Sequence, residues 1–210
     1  MAEHTKIAVL ESKWWNKSNV SARGLFDLVS DMHCETPHGY HYEMVNSEAA
    51  AKEAISRVAG YTYCKILCIA THGDENGLRL YGGGHLSRTE LRNALKNGGR
   101  STIDGLHLSS CTFGTHKIAN YLFTEGVRLT WVAGYSNEVD WLESSALDLL
   151  FFNEMLSTQG KSNKPRVRIE KVAERILKLA PGLARRLGFG VFVRERPTGE
   201  VVNLLAEGRD

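Results

Sequence analysis

The sequence contains no apolar run long enough to cross a membrane. The apolar stretch 146–156 is interrupted by Asp148, Asn153 and Glu154, whereas a transmembrane helix needs about 20 predominantly apolar residues. Residues 1–6 also lack the apolar core of a secretion signal. We therefore expect a soluble, cytoplasmic protein without a membrane partner.

Cysteine is scarce, with four residues in a chain of 210. Disulfide frameworks are typical of small secreted domains, so we expect free thiols and a reducing compartment. An excess of charge of one sign is also missing, because 26 Lys and Arg stand against 24 Asp and Glu. This balance gives no argument for nucleic acid, and the absence of a Gly-rich loop opening a helix argues against a nucleotide site.

The length and the composition, with 42% hydrophobic and 24% charged residues, suit one globular domain over residues 1–210. Apolar strand-like segments alternate with segments of helical spacing, which predicts an α/β fold with a parallel sheet and helices on both faces. Residues 157–165 are polar and include Gly and Pro, so we expect an exposed linker there. Residues 166–206 are predicted to form a basic helix followed by a β-hairpin.

Two apolar segments end abruptly at chemically active side chains. Residues 66–70 are followed by His72 and Gly73, and residues 106–109 are followed by Cys111. Parallel neighbouring strands end at the same edge of a sheet, where ligands bind. An imidazole and a thiol roughly 40 residues apart could therefore meet there as a nucleophile and its base. The alternatives are a polar loop histidine and a buried structural cysteine.

These residues resemble the caspase-like cysteine peptidases, and within them the branch called CHAT. The family has an apolar strand ending in His-Gly, as at residues 70–73, and another ending in a small-small-Cys turn, as at residues 108–112. The stretch 74–91 is similar to the family's hairpin and following helix, and 131–156 to its next strand and helix. The likeness covers residues 60–156 and implies a three-layer sandwich, with a mostly parallel sheet of about six strands between helices.

The resemblance implies a cysteine endopeptidase that acts on protein or peptide substrates through a dyad, without a cofactor or metal. Cys111 would be the nucleophile and His72 the general base and acid. The backbone amides of Gly73 and Cys111 would form the oxyanion hole. In the family, the residue two positions before the cysteine helps to line the substrate pocket, and here it is the uncharged Ser109.

Residues 135–140 resemble the part of the family that pairs with the substrate backbone by strand addition. This segment contains the candidate substrate contacts Tyr135, Ser136, Glu138 and Asp140. Either acid could receive a Lys or Arg side chain, although both could equally be solvated loop residues. We therefore expect a basic residue before the cleaved bond, with a small or apolar residue as the alternative.

Trp14 and Trp15 follow the first predicted strand, so we expect them on the same rim as the dyad. Adjacent exposed aromatic side chains often anchor a ligand, but one of the two could instead cover the core. The four His and Cys side chains between residues 33 and 41 match no metal-binding spacing, and we expect a turn there rather than a metal ion.

Two other classes of protein remain open on the sequence alone. One is a non-catalytic caspase-like module that binds a peptide, for signalling, without cutting it. The other is a nucleic-acid-binding protein that uses the basic side chains after residue 160, although Glu170 and Glu174 interrupt them and favour a solvated helix face. By analogy with the fold, the peptidase hypothesis also admits activation by a protein partner or by homodimerisation.

Overall fold

The computed structural model describes residues 4–17, 19–97, 101–159 and 164–206. In these ranges ten strands and seven helices follow one another. The strands are β1 (Ile7–Glu11), β2 (His41–Met44), β3 (Ile66–Ala70), β4 (His72–Asp74), β5 (Gly77–Arg79), β6 (His85–Ser87), β7 (Gly105–Ser109), β8 (Trp131–Tyr135), β9 (Phe189–Arg194) and β10 (Val201–Asn203). The helices are α1 (Arg23–His33), α2 (Glu48–Ala59), α3 (Arg88–Asn97), α4 (His116–Thr124), α5 (Trp141–Gln159), α6 (Pro165–Leu179) and α7 (Pro181–Arg186).

The main sheet has seven described strands in the order β10-β9-β8-β7-β3-β1-β2. Five neighbouring strands of this sheet are parallel to one another, namely β8, β7, β3, β1 and β2. Strands β9 and β10 are antiparallel to their neighbours. The prediction of a mostly parallel sheet is confirmed. The sheet exceeds the expected six strands because the predicted C-terminal hairpin, β9 with β10, continues it at one edge. Strands β4, β5 and β6 form a separate small antiparallel sheet.

Helices cover both faces of the main sheet, as predicted. Every residue of β1 and β3 is buried, because side chains alternate between the two faces and both faces are covered. Leu10 and Leu67 pack in the layer that contains α2, α3 and α4. Val9 and Cys68 pack in the opposite layer, which contains α1, α5, α6 and α7. The result is a three-layer sandwich.

Local sequence signals place two helix starts near the rim that carries His72 and Cys111. The Thr115 hydroxyl accepts a hydrogen bond from the Ile118 amide at 3.3 Å and caps α4. Before α3, the Ser87 amide and hydroxyl donate to the Glu90 carboxylate at 2.9 and 2.7 Å. The Ser87 hydroxyl in turn accepts from the Glu90 amide at 3.3 Å, which completes the predicted capping box. None of the described helices is long and apolar enough to cross a membrane.

The linker predicted over residues 157–165 is shorter than expected, because the residues at both of its ends are helical. Helix α5 continues to Gln159, and Thr158 is only 8% exposed, with its hydroxyl donating to the carbonyls of Glu154 and Met155. Such hydroxyl back-bonding lets a polar residue remain inside a helix. Pro165 opens α6, where its missing N–H costs nothing. Residues 160–163 lie outside the described residues.

The predicted basic helix after residue 165 is interrupted, and several of its cations are paired. Ala180 separates α6 from α7, which begins at Pro181, because proline cannot continue the preceding helix. Arg166 pairs with both Glu170 and Glu195. Further ion pairs join this region to α5: Arg175 with Glu154, and Arg186 with Glu143.

Candidate active site

The structure brings His72 and Cys111 to the same rim of the sheet. Ala70 of β3 lies opposite Ser109 of β7 in the parallel register, and each candidate residue comes two positions later. A hydrogen bond of 3.2 Å from the Thr71 amide to the Ser109 carbonyl continues the ladder to the strand ends. Adjacent parallel strands therefore deliver the imidazole and the thiol to one edge, as the sequence predicts.

Gly73 holds the His72 segment against the Cys111 turn. A Cβ at Gly73 would lie 2.6 Å from the Cys111 carbonyl oxygen and 3.0 Å from the Ser110 Cβ. Real Cβ atoms do not approach backbone so closely, so only glycine allows this contact. The segment 72–74 is also strand β4, whose antiparallel pairing with β5 fixes the backbone beyond His72.

The His72 ring is fixed by the loop that follows β1. Its Nε2 atom lies 2.8 Å from the carbonyl oxygen of Trp14. A carbonyl oxygen only accepts, so Nε2 carries the hydrogen and the neutral ring keeps its free lone pair on Nδ1. The rings of Trp14 and Trp15 meet His72 edge-on at centroid distances of 5.2 and 5.6 Å. This arrangement leaves Nδ1 as the nitrogen able to take a proton from a nucleophile.

The Cys111 thiol is partly exposed and rests on the backbone of Val139. Its Sγ accepts from the Val139 amide at 3.5 Å and lies 3.9 Å from the Val139 carbonyl oxygen. Within the described ranges, Cys111 and His72 share no hydrogen bond. Catalytic contacts are often loose before substrate binds, so the missing bond does not by itself argue against a dyad.

The turn after Cys111 is strained. Thr112 has a φ of +56°, a conformation that is unfavourable for a β-branched residue. The Thr112 amide donates to the Asn137 carbonyl at 3.0 Å, and the Gly114 amide donates to the Tyr135 carbonyl at 2.9 Å. Strain of this kind concentrates at functional sites where the surroundings hold it in place.

Cys111 differs from the other cysteines in its surroundings. Cys34, Cys64 and Cys68 are buried, whereas Cys111 is partly exposed. Burial raises the pKa of the Cys34 thiol, raises that of Cys64 to about 12, and raises that of Cys68 well above its usual value. These three are structural thiols of low reactivity, which leaves Cys111 as the candidate nucleophile.

Two candidate substrate contacts face a buried polar network instead of open solvent. The Tyr135 side chain is completely buried, and its hydroxyl donates to the Asp148 carboxylate at 2.5 Å. Ser109 donates to the other oxygen of that carboxylate, also at 2.5 Å. Behind them, His107 Nε2 lies 3.1 Å from Asp148. Tyr135 therefore offers no side chain to a substrate, and Ser109 is tethered at the rim.

The sequence pattern did not reveal the role of Asp148. The residue stands out only as a charge that interrupts an apolar helix, and such a charge is equally typical of a solvated position. In the structure it is 4% exposed, and its carboxylate accepts hydrogen bonds from the hydroxyls of Ser109 and Tyr135, beneath the Cys111 turn. Acids inside apolar stretches near a site are the signal that could have found it.

The segment after β8 contains two acidic residues, of which Glu138 is available to contact a ligand and Asp140 caps helix α5. The Asp140 Oδ1 accepts from the amides of Leu142 and Glu143 at 2.9 and 3.0 Å, which caps α5. Ser136 is exposed but donates through both its amide and its hydroxyl to the Gly188 carbonyl. Strand β8 itself is paired on both edges, by β7 and β9, and strand addition by the residues that follow it stays a prediction. Glu138 is exposed, and among the described residues its carboxylate has no hydrogen bond.

Trp14 and Trp15 lie beside His72, on the rim that also carries Cys111. Trp14 is half-buried and its indole N–H donates to Glu11 at 2.6 Å, whereas Trp15 is 44% exposed. Next to them, a cavity of about 340 Å³ opens between His72 and Tyr81. Trp15 is thus the more accessible of the two for a ligand.

The cluster of His and Cys residues between 33 and 41 is spread over separate contacts. His33 bonds to Asn153, and His38 to Asp27, while His41 lies 3.5 Å from Glu43. Across the described ranges, no three His, Cys, Asp or Glu side chains gather in a geometry that could hold a metal ion.

The sheet order, the helical layers and the position of the two strand ends define a caspase-like α/β fold. Two solved structures of a secreted C11 cysteine protease from Bacteroides thetaiotaomicron, called iotapain in one of them, share this fold with a TM-score of 0.54. The one solved with an irreversible peptide inhibitor is 12% identical, and the match covers 92% of this chain and 66% of that protease. The other is 10% identical, with 92% and 67% covered.

These likenesses establish the fold. The chain spans about two thirds of the length of the protease chains that it matches. No family model and no curated protein sequence matches the chain. The similarity to the CHAT branch therefore stays a prediction from the motifs.

Proposed function

We propose that the chain is a cysteine endopeptidase that cleaves protein or peptide substrates through Cys111 and His72. The observation that carries the proposal is the shared rim: the two residues follow paired positions of adjacent parallel strands. The hydrogen bond from His72 Nε2 to Trp14 adds support, because it leaves Nδ1 available as the base. The likeness of fold to solved cysteine proteases is consistent with this activity.

In the proposed first step, His72 Nδ1 takes the thiol proton and the Cys111 sulfur attacks the carbonyl carbon of the scissile bond. The carbonyl oxygen gains the negative charge, and the amides of Gly73 and Cys111 would donate to it. One such donor commonly contributes about 3 kcal/mol to transition-state stabilisation. The close approach of Gly73 to the Cys111 turn supports this assignment, because it brings the two backbone segments together.

In the second step, the C–N bond breaks and protonated His72 gives its proton to the leaving amine, so that a thioester remains on Cys111. A water molecule, deprotonated by His72, then attacks the thioester carbon. The C–S bond breaks, the carboxylic acid leaves, and His72 returns its proton to the Cys111 sulfur, which restores the thiol. The Sγ contact with Val139 must open when a substrate carbonyl takes its place. Such a shift is where an activating protein partner or a second copy of the chain would act.

For the substrate, we favour a basic residue before the cleaved bond. Glu138 is the better candidate to receive it, because Asp140 already caps α5. Ser109 contributes no charge and Tyr135 contributes no exposed side chain. Trp15 and Ser136, both exposed on the same rim, are the candidate contacts for the rest of the peptide.

The test is cleavage of a peptide library by the wild type and by Cys111→Ala. A dyad predicts that Cys111→Ala lowers turnover by several orders of magnitude, while the melting temperature stays close to the wild-type value. Cys34→Ala is the matched control, because it removes a buried thiol at the C-terminal end of α1. Cleavage by Cys111→Ala at a rate near that of the wild type would rule out the proposed nucleophile.

A non-catalytic peptide-binding module is the second candidate, and the Cys111 contact with Val139 favours it, since the thiol is not bonded to His72. A peptide that binds the wild type and Cys111→Ala equally, with no cleavage by either, would identify this case. Nucleic-acid binding receives less support, because Arg166, Arg175 and Arg186 are paired with carboxylates.

A further inference from the structure

Glu11 is a buried carboxylate that the proposed mechanism does not use. It is the last residue of β1, lies opposite Ala70 of β3, and is 0% exposed. Its Oε1 accepts from the Trp14 indole N–H at 2.6 Å and from the Ala22 amide at 2.8 Å. Its Oε2 accepts from the hydroxyls of Ser21 and Tyr42, both at 2.6 Å.

A carboxylate buried in this way is costly unless its lone pairs are satisfied. Four donors satisfy Glu11, and in the described part of the chain none of them is a basic side chain. Burial, followed by the hydrogen bond to Glu11, raises the pKa of Tyr42 to about 12, so this donor keeps its proton at any neutral pH. The four hydrogen bonds join β1, β2 and the start of α1 to one loop residue, Trp14.

Trp14 connects this carboxylate to the dyad. Its indole N–H is held by Glu11, while its backbone carbonyl accepts from His72 Nε2 at 2.8 Å and its ring meets the His72 ring. The beginning of the loop has its own anchor, since Asn46 Oδ1 accepts from the Lys13 amide at 2.8 Å. Loss of the Glu11 contact would therefore loosen Trp14 without releasing the whole loop.

We propose that Glu11 is a positioning residue for the dyad. By fixing Trp14, it keeps the Trp14 carbonyl on Nε2 of His72 and so holds the ring in the tautomer whose Nδ1 has a free lone pair. The inference rests on the proposed peptidase function for its catalytic consequence. The tautomer itself does not depend on that function, which allows the two to be tested separately.

The kinetic test compares two variants that each remove one donor from the same carboxylate. Trp14→Phe removes the bond to Oε1 but keeps an aromatic ring and the backbone carbonyl. Tyr42→Phe removes the bond to Oε2 and leaves Trp14 in place. We expect similar small losses in melting temperature, but a fall in kcat of about tenfold to a hundredfold only for Trp14→Phe, as displacement of a catalytic group causes.

A direct substitution of the carboxylate adds a rescue experiment. Glu11→Ala should lower kcat at least as much as Trp14→Phe. Glu11→Gln should recover part of that loss, because its amide oxygen can still accept from Trp14 and Ala22 while its NH₂ donates to the two hydroxyls. If Glu11→Ala does not fold, the comparison of Trp14→Phe with Tyr42→Phe still decides the matter.

The second readout is ¹⁵N NMR of histidine-labelled protein, with His72 assigned by its loss in His72→Ala. The wild type and Tyr42→Phe should show His72 with the hydrogen on Nε2, and Trp14→Phe should show a mixture with the other tautomer. Equal tautomers and equal kcat in Trp14→Phe and Tyr42→Phe would overturn the positioning role. A tautomer change without peptide cleavage by any protein would support the positioning of His72 and refute the peptidase function.

Discussion

Gly73 lies against the backbone of Cys111, so closely that a Cβ at Gly73 would stand 2.6 Å from the Cys111 carbonyl oxygen. The contact joins the ends of β3 and β7 beyond their last ladder hydrogen bonds. It explains why glycine follows the histidine: the imidazole can sit beside the thiol turn only if the next residue has no side chain. The geometry of the candidate dyad therefore depends on a packing contact between two backbones.

Gly73→Ala should separate the two strand ends. The added methyl group cannot fit without moving backbone, so we expect a loss of stability of about 1–3 kcal/mol, as in overpacked sites, and a fall in peptidase activity of at least a hundredfold. Gly24→Ala in α1 is the control, because a Cβ there meets nothing within 4 Å. It should be neutral or slightly stabilising. Urea unfolding and peptide cleavage measure both effects, and an active, stable Gly73→Ala protein would contradict the contact.

Alkylation should be selective for Cys111 in the folded protein. Burial raises the pKa of Cys64 to about 12 and raises that of Cys68 well above its usual value, so at pH 8 these thiols remain protonated as well as inaccessible. We expect iodoacetamide to modify Cys111 first and the other three only after addition of urea. Peptide mapping by mass spectrometry gives the order, and early modification of Cys64 or Cys68 would show that the layers around β3 open readily.

The fold was accessible from the sequence because its strongest signals are local. The alternation of apolar strands and helices predicts the sandwich, and strand ends at His72 and Cys111 predict the rim. The boundary of α5 was missed because Thr158 is polar, yet its hydroxyl bonds within the helix. Polarity alone does not distinguish such a residue from a loop residue.

The environment of the site was less accessible, because it depends on contacts between distant segments. Glu11 and Asp148 are buried, with 0% and 4% of their surface exposed. The residues next to each of them in the sequence do not indicate which distant groups donate hydrogen bonds to its carboxylate. Conversely, Tyr135 was expected to face a substrate because it ends a strand on the correct rim. Side chains alternate along a strand, and a shift of one residue decides whether the ring points into the core or out of it.

The network beneath the cysteine turn should be important for stability. Tyr135→Phe removes a buried donor to Asp148 and leaves that carboxylate with an unmet hydrogen-bond site, which we expect to cost about 1–3 kcal/mol. Tyr63→Phe is the matched control, because Tyr63 is 46% exposed, and its effect should stay within about 0.5 kcal/mol. The free energy of unfolding in urea decides between them, and equal effects would show that the Asp148 network contributes little.

Substrate preference should depend on Glu138. If its carboxylate receives a Lys or Arg side chain at an exposed rim, Glu138→Gln should lower kcat/KM for basic substrates by about tenfold and leave apolar substrates unchanged. Asp140→Ala is the comparison, because loss of its carboxylate removes the cap of α5 and should lower stability rather than change selectivity. A library profile that is identical in Glu138→Gln and the wild type would assign the specificity to another group.

The capping box before α3 should make part of the stability depend on pH. Hydrogen bonds from the Ser87 hydroxyl and amide lower the pKa of Glu90 from its ordinary value of 4.5 to about 2. A carboxyl group whose pKa is depressed in the folded state contributes stability that is complete above 4.5 and is lost as the pH falls towards 2. Since the Glu90 side chain is 31% exposed, solvent screening limits the contribution to about 1 kcal/mol. We therefore expect Glu90→Ala to be less stable than the wild type at pH 7, with the difference in unfolding free energy shrinking as the pH falls below 4.5.

The matched control for this measurement is Glu53→Ala, which removes a carboxylate that is 79% exposed and pairs with Arg57 on the surface of α2. Surface pairs of this kind contribute about 0–1 kcal/mol, and among the described residues no backbone amide donates to the Glu53 carboxylate. Urea unfolding of the three proteins at several pH values between 3 and 7, in the same buffer series, yields the two differences. A Glu90→Ala deficit that stays constant over this range would show that the neutral carboxylic acid caps α3 as well as the carboxylate does, and that the hydrogen bonds from Ser87 do not favour the ionised form.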